Sequence, residues 1–227
     1  MSDVILIKKR VAILVDGGFY RKVATYNWGK KTGEERATEL CAYCMAHARG
    51  KDLYRVFYYD CPPIAQQVYH PFLKRNVNLK KNDTYLWAQE FFEKMKTFRK
   101  FALRLGEISP SSVGYSLKKE TLKKLMAGER TVDNLEEKDF IFTAEQKGVD
   151  MRIGLDIASL AYKKLVDQII LISGDSDFVP AAKLARREGI DFILDPMLQD
   201  IRADLKEHID GLTSKMKSVN EPESSNV

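Results

Sequence analysis

The chain has 227 residues, 44% of them hydrophobic, which is enough for one large domain or two small ones with a sizeable core. No long uncharged apolar run occurs, which argues against a membrane span, and the opening MSDVILIKKR lacks the apolar length and cleavage pattern of a signal peptide, so a cytoplasmic protein is expected. Three cysteines are too few, and odd in number, for a disulfide framework, while a net charge of +5 permits nucleic-acid binding without requiring it.

Arg10 to Val15 is a nearly continuous apolar run of the kind buried on both faces of a parallel sheet, and it ends in Asp16. Gly17-Gly18 gives a permissive turn, after which Phe19 to Thr25 starts a helix and Thr32 to Arg49 forms another. Leu53 to Tyr59 is rich in β-formers and closes in Asp60, where Cys61-Pro62-Pro63 forbids continuation. Tyr85 to Phe101 reads as a helix and Ala102 to Ile108 as a strand broken by Ser109-Pro110.

Ser111 to Asp139 is the least regular stretch, with basic Lys118, Lys119, Lys123 and Lys124, and it is too short for a core of its own. It is expected to be an insertion. Asp150 to Val166 then predicts a helix, Gln168 to Ser173 a buried strand, and Phe178 to Glu188 a helix capped by Gly189. Ile190 to Leu194 is a short strand and Leu198 to Leu212 an amphipathic helix, whose exposed hydrophobics are a candidate homodimer surface. The expected organisation is one domain over 1–212 and a disordered polar tail over 213–227. Alternating strands and helices imply an α/β sandwich with a mostly parallel sheet.

In such a sheet, strand ends of the same polarity share one edge, so Asp16, Asp150, Asp175 and Asp177 can converge. Mg²⁺ and Mn²⁺ prefer oxygen ligands, and a cation relieves the repulsion among clustered carboxylates. Each acid also has an ordinary structural role open to it. Asp150 is placed to cap a helix, Asp175 and Asp177 open another, and Asp16 precedes a Gly-Gly turn. Asp156 falls well round the helix from Asp150, which limits it to supporting a site from behind.

The motifs VAILVDGGFY, YYDCPP, KGVDMRIGLDIASLAY and ILISGDSDFVPAAKLARREG together resemble the NYN domain family, the LabA-like branch of the PIN-like nucleases. The resemblance covers most of Arg10 to Asp210 and is carried mainly by the last two motifs. It implies a PIN-like three-layer α/β/α fold and a metal-dependent ribonuclease site, with Asp16, Asp150, Asp175 and Asp177 at the family's acidic positions. Asp156 also matches the family's GVDxxxxxD helix pattern.

The expected chemistry is hydrolysis of RNA phosphodiester bonds, single-stranded or structured, with Mg²⁺ or Mn²⁺ held by Asp16, Asp150 and Asp175. Asp177 would bind through water or orient the nucleophile, and Ser173 and Ser176 would add hydrogen bonds. Because carboxylates repel phosphate, basic residues elsewhere must hold the substrate: Arg21 and the four lysines of the insertion are the main candidates. Trp87, Phe91 and Phe92 offer stacking surfaces, but their helical spacing fits a core better.

Two other functions stay open. A non-catalytic RNA-binding adaptor can use the same fold. A phosphatase of the haloacid dehalogenase type is suggested by GDSD, but that chemistry needs an acid two residues after Asp16, where Gly18 stands. Cys41, Cys44 and His47 lack the paired spacing of a zinc site and fit an apolar helix face.

Overall fold

The computed structural model describes residues 8–216. In chain order the elements are β1 (Arg10–Asp16), α1 (Gly17–Trp28), α2 (Gly33–Ala48), β2 (Asp52–Asp60), β3 (Gln67–His70), β4 (Arg75–Asn78), α3 (Asp83–Lys96), β5 (Phe101–Leu105) and β6 (Glu107–Ile108). There follow β7 (Gly114–Leu117), α4 (Lys119–Met126), β8 (Phe140–Thr143), β9 (Gln146–Lys147), α5 (Val149–Tyr162), β10 (Gln168–Ile172), α6 (Val179–Arg187), β11 (Asp191–Asp195), α7 (Ala203–Glu207) and β12 (Gly211–Leu212).

The central sheet is parallel throughout, in the order β12-β11-β10-β1-β2-β5. The pleat explains why β1 and β10 are apolar without interruption. Val11, Ile13 and Val15 of β1, with Ile170 and Ile172 of β10, enter one core with α1, α2 and α3. Their alternates Ala12, Leu14, Ile169 and Leu171 enter a second core with α5 and α6. Every one of these side chains is fully buried, and each Val, Leu or Ile contributes about 1.5–3 kcal/mol. A three-layer α/β/α sandwich results.

From β1 the chain builds outward to β2 and β5 on one side, then returns to lay β10, β11 and β12 on the other. The order therefore reverses between β1 and β10. Connections leaving adjacent strands at such a point diverge to opposite faces and open a crevice at the carboxyl edge of the sheet.

Several sequence expectations need correction. The third long helix stops at Lys96, not Phe101: Lys100 takes a left-handed φ of 65°, and Phe101 starts β5. The strand expected over Ala102 to Ile108 divides at Gly106, where an added Cβ would lie 2.6 Å from the Lys147 carbonyl oxygen. β6 instead pairs antiparallel with β9, closing the base of an arm that contains the expected insertion, with β7 paired to β8 inside it. The β3–β4 hairpin was not expected, and β3 packs beside β7 of the arm.

The expected helix over Leu198 to Leu212 reduces to the five residues of α7, and β12 joins the sheet edge. Asp210 draws the chain back, accepting from Phe192 N at 2.9 Å and from Arg186 Nε at 2.8 Å. Leu198 and Leu212 are exposed but share no long helix face, so the proposed dimer surface loses its premise. The start of the expected disordered tail is also packed. Ser214 Oγ lies 3.2 Å from the Tyr43 hydroxyl and Met216 is buried in the first core. Residues 217–227, like the opening Met1 to Ile7 segment, lie outside the described residues.

Candidate active site

Asp16 ends β1 and caps α1, its Oδ1 accepting from Phe19 N at 3.1 Å. Its Oδ2 accepts from the buried Ser173 hydroxyl at 3.1 Å, so the switch point between β1 and β10 is closed by a direct side-chain bond. Ser173 Oγ also accepts from Asp175 N at 3.3 Å. Asp175 in turn caps the single turn Ser176–Phe178, with Oδ1 accepting from Asp177 N at 2.9 Å. Asp16 and Asp175 thus do perform the capping roles open to them, and a chain of hydrogen bonds joins them through Ser173.

Asp150 differs from its sequence expectation. The N-cap of α5 is Gly148, at a left-handed φ of 77°, and Asp150 lies in the first helical turn with no capping hydrogen bond. Its placement therefore owes nothing to capping. Burial pushes its carboxyl above the ordinary range, and the nearby Asp175 and Asp177 push it further. Asp16 is also raised, chiefly by burial, with Asp150 and Asp60 adding to the effect against the two hydrogen bonds that lower it. The acids are thus near enough to feel one another, and among the described residues none of Asp16, Asp150, Asp175 or Asp177 has an ion-pair partner. Among those same residues, no three His, Cys, Asp or Glu side chains stand close enough, as oriented, to hold a metal ion.

A cleft of about 540 Å³ opens over Asp16, Ser173, Asp175 and Ser176, with Lys22 and Arg202 on its walls. Ser176 lines this cleft without a side-chain bond to the acids. Asp156 is engaged elsewhere: its Oδ2 accepts from the Tyr59 hydroxyl at 2.8 Å and pairs with Arg104 Nε at 3.1 Å. It fixes α5 to β2 and β5 rather than backing the acid cluster.

Arg21 is anchored within the fold by two of its three guanidinium nitrogens. Its Nη2 pairs at 3.0 Å with Asp60, and its Nε donates to Gly17 O. Sequence reading passed over Asp60, which ends the strand next to β1, is 2% exposed and also accepts from Tyr58 OH and Cys61 N. Its only sequence signal is an acid at a strand end before Cys-Pro-Pro, the same signal that marked Asp16. Lys118, Lys119, Lys123 and Lys124 are all exposed at or on α4 of the arm, without an ion pair among the described residues. Phe91 and Phe92 are core residues, and Trp87 stacks on Phe91. The cysteines are free, with Cys44 and Cys61 buried, and no zinc cluster forms among the described residues.

The NYN domain profile matches residues 80–208, more than half of the chain. The chain belongs to the NYN domain family. The match includes α5 with Asp150 and the β10 loop with Asp175 and Asp177, whereas β1 and Asp16 precede it. NYN domains have a nuclease-type fold, and the six-stranded parallel sheet between helical layers agrees with it. A crystal structure of a Vibrio parahaemolyticus protein of unknown function is similar in fold, with a TM-score of 0.50, 16% identity, and coverage of 95% of this chain and 96% of that one. No curated protein sequence matches the chain. No helix among the described residues is long and apolar enough to cross a membrane.

Proposed function

We propose that this NYN domain is a metal-dependent ribonuclease whose centre lies at the β1–β10 switch point. One observation carries the reading: acids from three separate points of the chain meet, Asp150 adding to the raised pKa of Asp16 and Asp175 and Asp177 to that of Asp150, and none of the four has an ion-pair partner among the described residues. Asp16 and Asp175 are hydrogen-bonded, but Asp150 is neither paired nor bonded among the described residues, and its repulsion with the other acids is a cost that a cation would remove.

The donor set fits a hard divalent cation, because it is all oxygen and includes the free carboxylate of Asp150. Mg²⁺ commonly uses only one or two direct carboxylates, with water and substrate phosphate completing its shell, so three touching carboxylates are not required. Asp16, Asp150 and Asp175 would hold Mg²⁺ or Mn²⁺, which when bound supplies Lewis-acid activation of water and neutralises charge on the phosphate. Ser173 holds the Asp16 carboxylate in one orientation, so little reorganisation is needed when substrate arrives. Asp177, exposed and beside Asp150, would orient the attacking water. Lys22 and Arg202 on the cleft wall, with the arm lysines, would hold the RNA backbone.

Labelled single-stranded and structured RNA incubated with Mg²⁺, Mn²⁺ or EDTA tests this reading. Cleavage in either metal and none in EDTA is expected. Binding without cleavage would favour an adaptor, a reading supported by the lack of a metal-ready trio among the described side chains.

A further inference from the structure

A second cleft, of about 380 Å³, lies beyond the carboxyl end of β2, between the start of α3 and the arm. Three aromatic rings contribute to its wall: Tyr85 from α3, and Tyr115 and Phe142 from β7 and β8. Tyr115 and Phe142 are direct cross-strand partners, so the antiparallel pleat sends both to the same face, with ring centroids 5.4 Å apart. Tyr115 is backed by His70 at 4.1 Å, which fixes its ring. Phe142 remains 37% exposed, so its ring is open to a ligand. Two exposed amides, Asn82 and Gln146, complete the lining with donors and acceptors.

Arg21 links this cleft to the acids. It lines the second cleft, while its helix neighbours Gly18, Phe19 and Lys22 line the first, so the opening turn of α1 divides the two. Arg21 is held by Asp60 and Gly17, and its Nη1 makes no hydrogen bond among the described residues. Asp60 and Asp16 end adjacent strands, which lie ~4.8 Å apart, so the clefts are neighbours along one sheet edge.

We propose that the second cleft takes one unpaired nucleobase of the substrate strand, next to the phosphate at the acids, and so selects single-stranded RNA. This rests on the ribonuclease reading of the first cleft. Aromatic walls suit any base face, the two amides can meet base edges, and the Arg21 Nη1 can meet the intervening phosphate. A base inside a duplex is already stacked and paired, and must be extruded before it can enter.

Binding of an oligoribonucleotide carrying 2-aminopurine, measured in EDTA with the full chain, separates base capture from chemistry. Quenched fluorescence and at least about tenfold preference for the single strand over the duplex are expected. Phe142→Ala should remove both, while Phe142→Trp should retain them, which controls for loss of folding. Equal affinity for single strand and duplex, or unchanged quenching in Phe142→Ala, would overturn the inference even if wild-type protein cleaves RNA. Phenylalanine-dependent quenching without cleavage in Mg²⁺ or Mn²⁺ would support base capture and sink the nuclease reading instead.

Discussion

Ser173 donates its hydroxyl to Asp16 at 3.1 Å and so ties the loop after β10 to the end of β1. The bond lies where the strand order reverses, and it fixes one carboxylate of a group that includes the unpartnered Asp150. That arrangement makes the acids electrostatically coupled, and the coupling has consequences for stability, ion binding and pH.

Asp16 carries a raised pKa, with burial the largest cause. A carboxyl raised in the folded state stabilises the fold relative to its ionised form fully below its unfolded pKa, about 3.9, and that contribution is lost as pH rises through the folded value. Ionisation of Asp16 as pH rises therefore strains the fold. Asp16→Asn, which keeps a capping oxygen, should melt at or above the wild-type temperature near pH 7, and its advantage should vanish below about pH 4. Thermal melts across that range would check this, and a variant much less stable than wild type at pH 7 would contradict it.

Divalent ions should raise the melting temperature by relieving the same strain. At a hundredfold excess of ion over Kd the stabilisation is about 2.7 kcal/mol. Asp16 and Asp150 must be deprotonated to bind, and both are raised, so the Mn²⁺-induced shift should shrink as pH falls and be lost above the ordinary carboxyl pKa of about 3.9. A shift that stays constant as pH falls from about 7 to about 4 would place the ion elsewhere.

Asp195, fully buried at the end of β11, accepts from Tyr43 OH at 2.5 Å and Met197 N at 2.7 Å, and contacts His47 Nε2 at 2.6 Å. Removing one partner leaves a buried carboxylate short of compensation. His47→Ala and Tyr43→Phe should each cost about 1–3 kcal/mol in chemical denaturation, and Tyr43→Phe should also loosen Ser214.

The four arm lysines give a distinct signature. Replacing Lys118, Lys119, Lys123 and Lys124 together by alanine should lower the slope of log affinity against log salt by about 2–3, if all four meet single-stranded phosphates. An unchanged slope in a filter-binding titration would remove the arm from the RNA interface.

What was legible in the sequence tracks how local its cause is. Val11 to Val15 and Ile169 to Ile172 announce doubly covered strands because no face of either can be polar. Strand-end acids followed from the same runs. By contrast, Asp156 matches a family pattern, yet its partners Tyr59 and Arg104 become neighbours only when β5 pairs with β2. Asp60 was missed because its value depends on Arg21, far earlier in the chain, reaching across from α1. The pattern from Leu198 to Leu212 favours a helix, and the bonds of Asp210 to Phe192 and Arg186 override it. The aromatic cleft was not legible, since it needs the cross-strand register of Tyr115 and Phe142.

The most direct test of the metal-centre assignment is cleavage of labelled single-stranded RNA in Mg²⁺ and Mn²⁺ by wild type, Asp16→Asn and Asp175→Asn, each checked for a native melt. The expected result is metal-dependent cleavage by wild type that falls by at least about a hundredfold in both folded variants. Undiminished cleavage in both variants would contradict the assignment.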